Sequence, residues 1–347
     1  MNESNELTQT SRREFIKRSA LAAAGLTLAG IPVVGAENRD VPNSKINGIQ
    51  IGVIVPYSFR SMPSSAEDLL KYCLNLGINA VEMQNTPVEL FAGAPAAPAG
   101  LFGPLPGANR GAGAPSASAP APGGRRQLTP EQQAAVAAHA KEMSAWRTSV
   151  SMDKFKALRK MYADAGVSLY AFKLGLTMAM ADAEYDYAFT AAKALGADHL
   201  TMELPEDAEL TKRVGEFATK HEMMVGYHAH TQATPELWDV AISQSKFNGI
   251  NLDIGHYVAG TSQSPIPLII KYHDKITSMH VKDRKNNNGP NMPWGQGDTP
   301  IKEVLQLMKE KKYTFPATIE LEYPVPEGST AEQEVAKCLT YMKAALA

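Results

Sequence analysis

From Gly48 to the C-terminus, short apolar runs alternate with longer segments whose apolar residues recur three and four places apart. These two periods separate buried strands from amphipathic helices. Runs at 49–55, 167–173, 199–203, 223–228, 250–253, 276–282 and 316–322, with one more closing at Met83, are predicted as strands. Segments at 66–76, 129–146, 152–165, 185–195, 207–221, 235–243, 265–272, 301–311 and 331–346 are predicted as helices. Ser64-Ser65 with Glu67, and Thr129-Pro130-Glu131, carry the chemistry of helix starts, and Gly166 marks a helix end. Eight strands alternating with helices favour a closed (β/α)8 TIM barrel over an open doubly wound sheet, and no G-x-G-x-x-G follows the first strand.

Two stretches break the alternation. Over 91–128, after the second strand, Ala, Pro and Gly dominate and charge is almost absent. Such a composition buries little surface, so a long loop or disordered insertion without a role in the site is expected. At the N-terminus, Ser11-Arg12-Arg13-Glu14-Phe15-Ile16-Lys17 fits S-R-R-x-F-x-K and precedes an uncharged run ending in Val34-Gly35-Ala36. This predicts a twin-arginine signal peptide over 1–36, cleaved near Ala36, that exports the chain to the periplasm. Residues 37–347 then form one barrel domain. A route that moves folded proteins suits an enzyme that takes up its metal before export.

Composition adds exclusions. The chain has 347 residues, 44% of them hydrophobic and 20% charged, enough for a sizeable core. Its net charge of −2 points to neither nucleic acid nor, once the signal is removed, an anionic membrane as partner. Cys73 and Cys338 are the only cysteines, and two buried thiols are expected in preference to a disulfide.

The candidate chemistry lies at strand ends. Asp253, His280, Glu320 and either His228 or Glu203 each close a separate predicted strand, and the C-terminal ends of parallel barrel strands meet on one face. Carboxylates with imidazoles suit a divalent Mn, Mg, Co or Zn ion, and the lack of thiolates argues against a structural zinc knot. Glu320, His228 and Glu203 are the candidate catalytic acids and bases. Lys173, Lys282 and Arg284 are placed to hold substrate oxygens, and Trp294 offers a flat face to a sugar ring. His228 and His230, two apart on a strand, point to the same side, as one ligand and its neighbour toward substrate.

Leu252-Asp253-Ile254-Gly255-His256, Met279-His280-Val281-Lys282-Asp283, Gly295-Gln296-Gly297 and Tyr313 followed by Ile319-Glu320 resemble the xylose isomerase-like TIM barrel superfamily. That group includes sugar phosphate isomerases/epimerases, ketose 3-epimerases, inosose dehydratase and the endonuclease IV enzymes. The resemblance spans roughly 49–347 and implies that Asp253, His280 and Glu320 bind a divalent metal and that His256 contacts substrate. The epimerases carry a metal-binding Glu at the end of the fifth strand, where this chain has His228 within Tyr-His-Ala-His, a pattern similar to inosose dehydratase. The resemblance therefore implies a metal-dependent isomerase or epimerase acting through an enediolate on a small sugar. A dehydratase or lyase on a keto-sugar is the alternative, and a non-catalytic carbohydrate-binding barrel a second. Export argues for a free, oxidised or glycosidic sugar such as a 3-keto-glycoside, because phosphosugars are cytoplasmic metabolites. An endonuclease IV activity does not fit, since the chain is slightly acidic and the extra ligands of a trinuclear cluster have no place in it.

Overall fold

A computed structural model of the chain describes residues 41–98 and 129–347. The signal expected over 1–36, and residues 99–128 of the expected insertion, lie outside the described residues.

Eight parallel strands close the barrel: β2 (Ile49–Val55), β3 (Ala80–Gln84), β4 (Ser168–Lys173), β5 (His199–Glu203), β6 (Met224–His228), β7 (Asn248–Asp253), β8 (Ile276–Val281) and β11 (Ala317–Ile319). β11 pairs with both β8 and β2, and β2 with β3, which completes the ring. A two-residue strand β1 (Lys45–Ile46) runs antiparallel to the start of β2, and a short hairpin joins β9 (Asp283–Arg284) to β10 (Asn291–Met292). Every predicted strand is found, most within two residues of its expected ends. The last ladder is shorter than expected and stops at Ile319, so Glu320 and Glu322 stand on the loop just past it.

The helices follow the strands they cover. Helix α1 (Ala66–Leu76) starts where the Ser65 hydroxyl caps Asp68 N and ends at Gly77 with φ +67°, a left-handed stop suited to a residue without Cβ. Helix α3 (Pro130–Arg147) opens on the capping box of Thr129 and Gln132. Two helices were not separated by pattern: α2 (Asn85–Phe91) and α8 (Ile254–Thr261) begin directly at the end of a strand, so no turn residues announce them. α2 takes up the first residue of the expected insertion. Among the described residues no helix is long and apolar enough to cross a membrane.

Strand alternation builds two distinct environments. Leu200, Met202, Val225, Tyr227, Leu252, Met279, Val281 and Ile319 are buried and join the apolar layer beneath the helices. The alternate residues turn inward and are polar: Glu82, His199, Thr201, His228, Asn251, Asp253, Ser278, His280 and Thr318 are all buried. Cys73 and Cys338 are free, buried thiols.

Candidate active site and metal centre

The polar interior is organised from the bottom upward. Near the strand N-termini the Tyr170 hydroxyl bonds Thr318 Oγ1 at 2.5 Å, and His199 Nε2 meets Ser278 Oγ at 3.1 Å. One layer higher, Asn251 Nδ2 donates to Ser278 Oγ (2.8 Å) and to Glu82 Oε2 (3.2 Å), while Asn251 Oδ1 faces His228 Nδ1 at 2.8 Å. Thr201 Oγ1 donates to Glu82 Oε1 at 2.7 Å. This scaffold fixes the side chains above it.

At the strand C-termini, one ligand atom from each of His228, Asp253, His280 and Glu320 lies within 4.8 Å of the others, and all four residues are buried. His280 is clamped between carboxylates, its Nε2 2.8 Å from Glu82 Oε2 and its Nδ1 2.9 Å from Glu320 Oε2. Burial alone would lower the His280 pKa, but the charges of Glu82 and Glu320 outweigh it and raise the ring to about 10. Burial would likewise raise Glu82, yet His280 holds it down at about 2. His228 goes the other way: burial, with Lys173 adding to it, pushes its pKa down to about 3, so the ring is neutral. Asp253 caps α8 by accepting from His256 N at 2.7 Å through Oδ1. Burial pushes the Asp253 carboxyl up, to about 7, with Lys282 pulling against it.

The donor set fits a divalent cation. Three of the four have one polar atom tied to the scaffold and another turned to the centre: His228 uses Nδ1 on Asn251, Asp253 uses Oδ1 on the helix start, and His280 uses Nε2 on Glu82 while its Nδ1 faces Glu320 Oε2, itself one of the group. Asp253 Oδ2 is buried and accepts no hydrogen bond. A histidine whose far nitrogen donates to a carboxylate has its tautomer and ring plane fixed, the arrangement metal-binding histidines adopt. Two nitrogens and two carboxylates make a mixed donor set suited to a divalent cation.

Of the two residues open for the remaining ligand position, the structure brings His228 into the group. Glu203 stands at the rim: its half-exposed side chain turns to Lys173, with Oε1 2.8 Å from Nζ, and sits 3.7 Å from His230 Nε2. Burial would raise the Glu203 pKa, but His228 and Lys173 together lower it to about 2. His230 is exposed, and its ring stands edge-on to His256 with centroids 4.7 Å apart. His256 is buried beside the centre, with Arg284 Nη1 2.7 Å from Nδ1 and Lys282 Nζ 3.0 Å from Nε2. Arg284 is also fixed by two bonds to Gly289 O. Trp294, offered as a flat face for a sugar, packs edge-on against Tyr341 of α11 (Ala331–Leu346), and its Nε1 is buried without a partner.

Sequence reasoning missed Glu82, Asn251, Glu322 and Tyr57. Glu82 had a readable signal, being the lone charge in the apolar strand Ala80-Val81-Glu82-Met83, where an acid is costly unless paired. Glu322 accepts from Tyr57 Oη at 2.8 Å and bonds Lys282, a pairing across 265 residues of sequence that no spacing reveals. Two glycines of the quoted motifs serve packing. A Cβ at Gly255 would lie 2.8 Å from Lys282 O, and one at Gly297 would lie 2.0 Å from Asp283 Oδ1. Asp283 Oδ2 accepts from Gly295 N and Gly297 N, each at 2.8 Å, which ties the loop after β10 to the barrel.

No curated protein matches the chain in sequence. Among solved structures, a xylose isomerase domain protein from Planctomyces limnophilus is 15% identical, with TM-score 0.55 over 86% of this chain and 97% of that one. The probable 3-DHS dehydratase involved in petrobactin synthesis from Bacillus anthracis is 12% identical, with TM-score 0.54 over 84% and 99%. The 3-keto-D-glucoside 4-epimerase from E. coli is 11% identical, with TM-score 0.51 over 85% and 99%. At these identities the likeness establishes the fold. A family model described as xylose isomerase-like TIM barrel matches residues 134–344, and the chain belongs to that family.

Proposed function

We propose that the protein is an exported, divalent-metal-dependent isomerase or epimerase that acts on a non-phosphorylated keto-sugar in the periplasm through an enediolate. The observation that carries this reading is the convergence of His228, Asp253, His280 and Glu320 at the C-terminal mouth of the barrel. A divalent cation held by these residues would act as a Lewis acid for the negative charge that develops on a carbonyl oxygen during α-proton removal.

The chain's own groups supply the rest. Glu320 is the candidate base, since His280 and Lys282 both contact its Oε2 and leave Oε1 unengaged by either. Charge from these two neighbours overcomes the burial that would raise its pKa and keeps Glu320 ionised, the form that accepts a proton. His256, buried and low in pKa through burial and Lys282, is neutral and sits where a substrate hydroxyl would approach. Lys173 and Glu203 form an ion pair at the rim that can exchange partners with substrate oxygens. Return of the proton to the opposite face or neighbouring carbon completes epimerisation or isomerisation.

A second reading is a lyase or dehydratase on a 3-keto-glycoside. The specific observation in its favour is His228 at the end of β6. A carboxylate there could relay a proton across the sugar, whereas a neutral imidazole beside one Glu suits removal of a proton with departure of a β-substituent. The fold neighbours include one protein named for each outcome, an epimerase and a probable dehydratase. Incubating metal-loaded protein with oxidised and unoxidised glycosides in D₂O, followed by NMR, separates them. Deuterium uptake with the aglycone retained is the expected result, and aglycone or water release moves the assignment to the lyase. Neither deuterium uptake nor release, by protein shown to contain metal, leaves the carbohydrate-binding barrel.

A further inference from the structure

Lys282 is a crowded charge in the barrel interior. Its Nζ lies 2.9 Å from Asp253 Oδ2, 2.8 Å from Glu320 Oε2 and 3.0 Å from His256 Nε2, and bonds Glu322 Oε2 as well. An ammonium has three N–H donors, so four close neighbours cannot all be satisfied. The contact to His256 is the misfit. Arg284 Nη1 stands 2.7 Å from His256 Nδ1, and a guanidinium can only donate. A neutral ring that accepts at Nδ1 carries its proton on Nε2, which sets an N–H against the ammonium. On the other side, Asp253 Oδ2 accepts no hydrogen bond although Nζ is so near, so the attraction there is that of an ion pair.

The two carboxylate oxygens that hold Lys282 from this side, Asp253 Oδ2 and Glu320 Oε2, belong to two of the residues gathered around the candidate metal centre. We propose that Lys282 is a displaceable counter-ion of the metal centre, a positioning residue that balances Asp253 and Glu320 in the metal-free protein and gives up both carboxylates when a divalent cation binds. Two cations cannot share oxygens at hydrogen-bond distance without strong repulsion in a low-dielectric interior. The ammonium has a retreat already in place, because Glu322 accepts it, and Tyr57 Oη fixes Glu322 from behind at 2.8 Å. Cation binding therefore also moves Lys282 toward Glu322. The lysine lowers metal affinity and in exchange keeps the buried acids from repelling one another before metal arrives.

This inference rests on the metal-dependent reading above. Its test is calorimetric titration of Mn²⁺ into metal-stripped full-length protein, wild type against Lys282→Met, with thermal midpoints measured before and after loading. The expected result is Mn²⁺ binding at least about tenfold tighter in the variant, a lower midpoint without metal, and recovery of most of that loss with metal. Equal or weaker binding by a folded Lys282→Met, while the wild type binds Mn²⁺, overturns the role of Lys282 alone. No binding by the wild type removes the metal-dependent reading and this inference together. Should the variant not fold, a crystal structure of Mn²⁺-loaded wild type decides: Nζ is expected out of hydrogen-bond reach of Asp253 Oδ2 and within reach of Glu322, and Nζ still on Asp253 overturns the proposal.

Discussion

The barrel interior contains two polar layers built by the same strands, and they differ in one respect. The lower layer, Tyr170 with Thr318 and His199 with Ser278, is polar yet uncharged: burial pushes His199 down to about 4 and Tyr170 well above its ordinary value. The upper layer, two residues further along the chain from Ser278 and Thr318, concentrates the carboxylates Glu82, Asp253 and Glu320 around His280 and Lys282. Neutral hydrogen-bonded pairs hold a shape at little cost, whereas buried charges are expensive to desolvate and persist where they are matched and used. The lower layer reads as support and the upper as chemistry, although their residues lie within a few positions of each other in sequence.

Substitutions can break that division, and the largest effect is expected in the upper layer. Glu320→Gln keeps shape and removes the base, so solvent-deuterium exchange into a keto-sugar should fall by about 10²- to 10⁴-fold. Next comes a pH effect on stability in the lower layer. His199 has a folded pKa of about 4 against 6.5 for the exposed residue, so the folded state prefers the neutral ring. Its contribution is complete above the unfolded pKa and is lost as pH falls from about 6.5 toward 4, by about 3 kcal/mol at most. Urea unfolding across that range should show a steeper loss for wild type than for His199→Asn. Glu82→Gln also acts in the upper layer. It leaves the four ligands in place but weakens the partner that orients His280, and should reduce Mn²⁺ affinity by about 10- to 100-fold in calorimetry. The smallest change is expected from Thr318→Val, which removes the Tyr170 bond and should cost about 1–2 kcal/mol in unfolding free energy with deuterium exchange unchanged. A large loss of exchange in Thr318→Val would erase the distinction between the layers.

Much of this was legible in the chain, for physical reasons that differ by region. Strands covered on both faces read as apolar runs, and capped helices announce their starts, so the barrel could be drawn from pattern. Asp253, His280 and Glu320 were readable because each lies at or next to the C-terminal end of its own strand, and parallel strands deliver such residues to one face. The choice between His228 and Glu203 was not readable, since it depends on which inward side chain meets Lys173 at the rim. The packing of Trp294 against Tyr341 was not readable, because loop position says nothing about which side of the loop faces α11. The role of Glu82 was not readable beyond its being a lone acid in an apolar strand, because its partners lie 119, 169 and 198 residues away in sequence.

The most direct test is anomalous diffraction from crystals of protein loaded with Mn²⁺. The expected map has a single strong peak ligated by His228, Asp253, His280 and Glu320, with Glu82 on the far nitrogen of His280. A peak elsewhere, or none at the mouth of the barrel in protein that retains full activity, would contradict it.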